Sequence, residues 1–412
     1  MTEQRKPFVP LLFGADINVY SMARAFHEAY GIQKTYAVGK FPSGPAYNSR
    51  LIHYTAEPRA DVQEVFLPLV NRFAEEHKDE TVLILGCGDN YLQLISGNKA
   101  NYRENVVAPY IDLEQMNSCI KKEVFYGMCE KAGLDYPATF IYQREMGHDF
   151  ELPFGPPYII KPSNNVDYWQ HPFPTQKKVD MAHSREEMLE ILDNIYNAGY
   201  SDTIILQDFI PGDDSYMRVL TSYSGKDGKV KLMCLGHVLL EEHTPHGIGN
   251  HAVIITESEP ELEEKVKNML EAMHYVGFSN CDIKYDRRDG KFKLFEINVR
   301  QGRSNYYVTG SGHNITKWLV EDWLYDNPVE EIHVSNPSLW TVVPKGVAFK
   351  YIVKKYHPRM RQLIREGKWS NPLLYKPDRG FLRMLRTWKN LLGHYVKFKK
   401  YYGVPVEEEA ER

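Results

Sequence analysis

Over the first hundred residues, short apolar stretches alternate with segments of helical spacing, and this alternation narrows the possible folds more than any other feature. FVPLLFG, starting at Phe8, reads as a strand that runs into a turn over Gly14, Ala15, Asp16, Ile17 and Asn18. VYSMARAFHEAYG then repeats apolar residues at helical intervals and stops at Gly31. KTYAVGK and TVLILGCG supply further strands, the second followed by NYLQLIS. Strand, turn, helix, strand in that order opens a parallel, doubly wound α/β sheet, whose ligands sit at the carboxyl ends of the strands. Asp16, Asn18, Asp89 and Asn90 stand at that edge. Asp16 and Asn18 serve there either as ligand-facing groups or as caps of the next helix.

From Asp112 the pattern becomes α+β. DLEQMNSCIKKEVFYGMCEKAGLDYPATFIY reads as one helix carrying the pair Lys121 and Lys122, stopped near Gly133 and followed by a strand. PYIIKPS is a strand with Lys161 embedded in it, and DTIILQDFIPGDDSYMRVLTSY is a strand, a Pro-Gly turn and a second strand. KLMCLGHVLLEE continues the β pattern and ELEEKVKNMLEAMHYVG has amphipathic helical spacing. SNCDIKYDRRDGKFKLFEINV reads as a hairpin turning at Asp289-Gly290. A chain of 412 residues exceeds what one hydrophobic core usually covers. Four units follow from the changes of pattern: 1–111, 112–209, 210–330 and 331–412.

That hairpin carries the chemistry. In LFEINVRQGRSN, Glu296, Asn298 and Arg300 fall at every second position and share a face of the strand. A turn at Asp289-Gly290 brings Asp282 opposite Glu296, so Asp282, Glu296 and Asn298 converge as hard oxygen ligands of the kind magnesium takes together with phosphate and water. A solvated hairpin face with incidental acids is the plain alternative. Lys161 ends the apolar run Tyr158-Ile159-Ile160, where an unpaired ammonium would be costly, so it calls for an anion. Lys122, with Lys121 as its rival, offers a second positive charge; a lone lysine is otherwise most often a surface residue.

In this order the pieces resemble the ATP-grasp superfamily, over roughly residues 112 to 311. Lys122 before Ala132-Gly133-Leu134, Lys161 in YIIKP, Gln207-Asp208-Phe209-Ile210-Pro211-Gly212 and Asp282 with Glu296-Ile297-Asn298-Val299-Arg300 carry the likeness. Gln207 stands where that family often has Glu, and Val299 where Pro is common. The resemblance implies an ATP-grasp fold with an N-terminal Rossmann-like (pre-ATP-grasp) domain and a basic helical C-terminal extension. It implies ATP held by Lys122 and Lys161, with adenine against Gln207 and the main chain of Asp208, Phe209 and Ile210, and ribose on Asp214. Asp282, Glu296 and Asn298 would hold Mg2+, with Mn2+ as the alternative. Arg300, with Lys161, would act in catalysis by steadying the transferred phosphoryl group. FGADINVYSMARAFHEAYGI, VGKFPSGPAYNSRLI and ILGCGDN narrow the likeness to bacterial carboxylate-amine ligases of the D-aspartate ligase type.

The activity so implied is ATP-dependent amide formation through an acyl phosphate. It would join an amino acid such as D-aspartate to an amine, here the lysine side chain of a peptidoglycan (muropeptide) precursor, with Arg50 helping to hold a substrate. Another ATP-grasp ligase making dipeptide-like metabolites is the enzyme alternative, and a non-catalytic nucleotide-binding module docking on anionic membranes or polymers is the alternative of another class. HTPHGIGNH, with His243, His246 and His251, matches no zinc spacing and reads as a lid or as a surface cluster.

Five scattered cysteines without a CxxC pair argue against a disulfide framework and a zinc site. No apolar run is long enough to span a bilayer and no signal-peptide core stands at the start, so a cytoplasmic protein is expected, with contact at the inner face of the membrane as an option. That option rests on the final segment. Between Lys345 and Pro405 sixteen Lys and Arg face two acids, Glu366 and Asp378, which leaves the rest of the chain strongly acidic. Phe381, Leu385, Trp388, Leu392 and Tyr395 form an apolar helical stripe there. The stripe reads as a face packed on the body, as a membrane contact or as part of a phosphate-recognition surface. The acidic remainder and the lack of a binding module speak against nucleic acid.

Overall fold

The computed structural model describes residues 6–163, 165–177, 179–244 and 247–402. The first apolar runs become a parallel sheet of β1 (Phe8–Phe13), β2 (Thr35–Gly39), β3 (Ile52–Ala56), β4 (Thr81–Gly86) and β5 (Val106–Val107), in spatial order β3-β2-β1-β4-β5. β1 is buried along its whole length, as a central parallel strand covered on both faces must be. Helices α1 (Ile17–Tyr30), α2 (Gln63–Glu76) and α3 (Asp89–Gly97) complete this doubly wound unit. Asp16 caps α1, its carboxylate accepting from the Asn18 N–H at 3.0 Å and the Val19 N–H at 3.4 Å, and Gly31 ends the helix in the left-handed region at φ 66°.

The single helix expected after Asp112 is two. Lys121, extended at φ −71° and ψ 112°, separates α4 (Leu113–Ile120) from α5 (Lys122–Lys131). Neither Pro nor Gly marks the break. What fixes it is tertiary contact, since the side chains of Lys122 and Tyr126 both reach the later hairpin and so set the direction of α5. A four-stranded antiparallel sheet follows, β6 (Thr139–Tyr142), β7 (Tyr158–Pro162), β8 (Asp180–Ala182) and β9 (Ile204–Asp208), in order β6-β9-β7-β8. With α6 (Asn165–Gln170) and α7 (Arg185–Asn197) it forms a small separate core around Ile160, Leu192 and Leu206.

The large sheet is built from β10 (Met217–Ser224), β11 (Val230–Glu242), β12 (Asn250–Glu257), β13 (Gly277–Asp286) and β14 (Lys291–Asn298), with α8 (Pro260–Ala272) inserted before β13. Beyond residue 330 the chain adds β15 (Ile332–His333), β16 (Leu339–Thr341) and β17 (Trp369–Ser370) to it, in order β14-β13-β10-β11-β12-β16-β17 with β15 paired to β11. The remaining helices are α9 (Tyr306–Gly310), α10 (Ile315–Trp323), α11 (Lys345–Tyr351), α12 (His357–Arg365) and α13 (Phe381–Tyr401). The first sheet and the large one share one continuous core, so the four-stranded unit stands across a cleft from a common body. Among the described residues no helix is long and apolar enough to cross a membrane.

The apolar stripe of α13 does not pack on that body. Phe381, Leu385, Trp388, Leu392 and Tyr395 are exposed, while Arg383, Thr387, Leu391 and Phe398 face inward. The inward face joins a buried ion pair to apolar side chains: Arg383 lies 2.7 Å from Asp378, and Leu391 and Phe398 are buried.

Candidate active site

β13 and β14 pair so that Asp282 stands directly opposite Glu296. A bulge at Phe295 makes this useful. Leu294 points into the core, and strict alternation would carry Glu296 and Asn298 inward after it; the extra residue reverses the faces, burying Ile297 and Val299 instead. Asn298 Nδ2 donates to Asp282 Oδ2 at 3.1 Å. Burial first, and then the Glu296 carboxylate beside it, push Asp282 well above the ordinary carboxylate range. Such a pair is waiting for positive charge. Lys122, at the start of α5, supplies some of it, with Nζ 3.1 Å from Glu296 Oε2.

Two acids and a carboxamide are too few to enclose an ion. Among the described residues no cluster of three His, Cys, Asp or Glu is placed to hold a metal. A cation that keeps waters and borrows phosphate oxygens fits this donor set.

Lys161 faces this hairpin from β7 across the cleft. Its Nζ donates to Gln207 Oε1 at 3.1 Å and lies 5.4 Å from the centre of the Phe295 ring. Gln207 is buried and heavily engaged: its Nε2 donates to the Tyr126 hydroxyl at 2.7 Å and to Thr139 Oγ1 at 2.9 Å. Its side chain therefore aims Lys161. Asp208 is tied to Arg288 at the hairpin tip, 2.5 Å away, and Arg288 also pairs with Asp286 at 2.7 Å. Phe209 lies under Lys284, with Nζ 5.5 Å from its ring centre, and Ile210 is buried.

Asp214 sits at the rim of the same cleft. It accepts from the Glu241 N–H at 2.8 Å and bonds His243 Nε2 at 3.0 Å. Glu241 was not foreseen. Its side chain is 15% exposed, and desolvation together with Asp214 and Asp282 raises it to about 8. Lys284, pushed down by the same burial, carries the balancing charge and donates to the Gly212 carbonyl at 3.0 Å. Lys284 was legible in principle, since it follows Asp282 by two on the same strand face.

Arg300 leaves the hairpin toward the first domain, where its Nε donates to Asp89 Oδ1 at 2.6 Å. Asp16, half-buried behind its cap bonds, has its carboxyl raised by desolvation against the pull of Arg303 and Arg300. Asn18 donates to the Gln301 carbonyl at 3.2 Å and accepts from Asn305 at 2.7 Å, so it fastens domains together. Arg50 meets the fold through its main chain, its N–H donating to Asp378. Of the three histidines, His246 lies outside the described residues. His251 is buried near Ser304 and pushed down to about 4 by desolvation, whereas His243 is half-buried between Asp214 and the Tyr402 ring.

No protein-family model matches the chain. A D-aspartate ligase from Enterococcus faecium is 41% identical over 416 residues, covering 97% of this chain and 98% of that protein. Among solved structures, an L-amino acid ligase from Bacillus licheniformis superposes with a TM-score of 0.55 at 16% identity, covering 79% of this chain and 76% of its own. The biotin carboxylase domain of a Hydrogenobacter thermophilus 2-oxoglutarate carboxylase, solved with MgADP and bicarbonate, gives 0.61 at 14% identity over 82% and 74%. At such identities the two structures speak for the fold alone. The full-length relative says more: this chain belongs to the D-aspartate ligase family of ATP-grasp carboxylate-amine ligases.

Proposed function

We propose that the enzyme activates D-aspartate, or a closely related amino acid, as an acyl phosphate and passes it to the lysine side-chain amine of a peptidoglycan precursor in the cytoplasm. The observation that carries this reading is the opposition across one cleft of a paired-carboxylate hairpin and two lysines, with a guanidinium beside them. A carboxylate cannot be displaced directly by an amine, because the leaving group would be an oxide. Transfer of the γ-phosphoryl group of ATP onto one carboxylate oxygen turns that oxygen into phosphate, which leaves when the amine attacks.

Lys122 and Lys161 exchange their present partners, Glu296 and Gln207, for phosphate oxygens as the nucleotide enters. Gln207 and Tyr126 keep Lys161 pointed at the cleft, while Asp208, Phe209 and Ile210 offer main-chain contacts to adenine and Asp214 accepts from the ribose. Asp282, Glu296 and Asn298 are the groups that would hold Mg2+, or Mn2+ in its place, which when bound offsets the charge gathered on the phosphates. Arg300, fixed by Asp89, presents a permanent cation to the oxygens of the group in transfer and to the oxyanion of the following step.

ADP release, followed with D- and L-amino acids and a lysine-containing muropeptide, tests the reading. It predicts turnover that needs both D-aspartate and the muropeptide, with a product of the summed mass less water. Equal turnover with unrelated acceptors, or with L-amino acids alone, would replace it by a dipeptide-forming ligase.

A further inference from the structure

Helix α13 is held to the body by one face. Near its start, Asp378 takes the Arg383 guanidinium and also accepts from the hydroxyls of Tyr20 and Ser49, each at 2.8 Å. Near its end, Phe398 packs on Tyr351 with ring centres 5.3 Å apart. The opposite face is apolar and open. Phe381, Leu385, Trp388, Leu392 and Val396 are 78%, 53%, 52%, 61% and 70% exposed, and steps of four and three keep them on one side. The helix carries six Lys and Arg and no acid. Arg383 is spent inward; Lys389, Lys399 and Lys400 are exposed near the apolar stripe.

We propose that this face of α13 docks on the surface of an anionic lipid bilayer, with the helix lying in the interface. Large apolar side chains with basic neighbours gain twice at such a surface, from leaving water and from the negative potential. Charge decides against a second copy of the chain as the occupant. Two such faces brought together would oppose their cations, with no acid on either helix to pair them. Nothing in this inference depends on which substrate the active site takes.

Co-sedimentation of the full chain with vesicles of phosphatidylcholine, alone or mixed with phosphatidylglycerol, tests it. Two variants serve as probes: Leu385→Ser with Trp388→Ser and Leu392→Ser, and Lys389→Glu with Lys399→Glu and Lys400→Glu. The parent should partition to the mixed vesicles, and either variant should bind them at least about tenfold less, as should the parent on phosphatidylcholine alone. Melting temperature and ADP release in vesicle-free buffer should stay at parental values, since the substituted side chains are exposed and none of them belongs to the cleft residues. Binding by the parent to neither vesicle, or undiminished binding by the apolar variant, would overturn the proposal. So would a parent that runs as a dimer, binds no vesicles and becomes monomeric on the apolar substitution, which would give the face to a second copy.

Discussion

Glu296 and Asp282 are a cross-strand pair of acids with unequal surroundings, and the inequality predicts how each responds to change. Glu296 is about half exposed and raises the charge cost of its buried neighbour, so Glu296→Ala should melt no lower than the parent. ADP release should nonetheless fall by at least about a hundredfold, because the charge that offsets phosphoryl transfer loses a holder. Parental turnover in that variant would refute the assignment. Glu241 makes a pH prediction with a definite sign. Its proton is held more tightly folded, at about 8, than at the ordinary 4.5 of an exposed glutamate, so the stability it lends is complete below 4.5 and is lost as pH rises to 8. Glu241→Gln keeps the shape without the charge. Its melting temperature should match the parent near pH 5 and exceed it near pH 8, by roughly 1 to 4 kcal/mol in stability; a variant less stable at pH 8 would contradict the burial argument.

At the scale of elements, the hairpin depends on one glycine and one bulge. Gly277 begins β13 at φ +88°, and a methyl group there would run into the Pro109 carbonyl oxygen. That obstacle is backbone and cannot rotate away. Gly277→Ala should therefore cost about 2 to 4 kcal/mol, read as a lower denaturant midpoint, whereas a neutral result would mean the linker yields. The same hairpin shows what a sequence can and cannot disclose. Asp282 close to Glu296 was readable from the Asp-Gly turn, although the register that starts with Asp286 opposite Lys291 would leave Asp282 facing Phe295, and the bulge moves Glu296 there instead. The bulge was not, since nothing in Leu294-Phe295-Glu296 announces an extra residue. Helix α4 ending at Ile120 was equally hidden, because contacts made 169 and 174 residues later decide it. For α13 the period was readable and the side that meets the body was not: the pattern reveals that an apolar stripe exists, while the Arg383–Asp378 pair with Leu391 and Phe398 sets which side faces inward.

At the scale of the molecule, the first domain and the hairpin are wired into one piece. Gln301 donates to the Gly86 carbonyl at 3.0 Å, Asn18 and Asn305 bond each other, and Arg300 reaches Asp89, all between the carboxyl edge of the first sheet and the segment leaving β14. The four-stranded unit approaches that body where Lys161 lies over the Phe295 ring and where Asp208 pairs with Arg288 of the hairpin. A nucleotide held there would meet charge from both sides, with Arg300 between the hairpin and the edge of the first domain. Whether the carboxylate itself receives the phosphoryl group is the point on which this account turns. Turnover with ATP, a muropeptide and D-aspartate labelled with 18O in its carboxylates asks this directly. The account predicts that one labelled oxygen appears in the inorganic phosphate released with each ADP; unlabelled phosphate, or AMP and pyrophosphate as products, would contradict it.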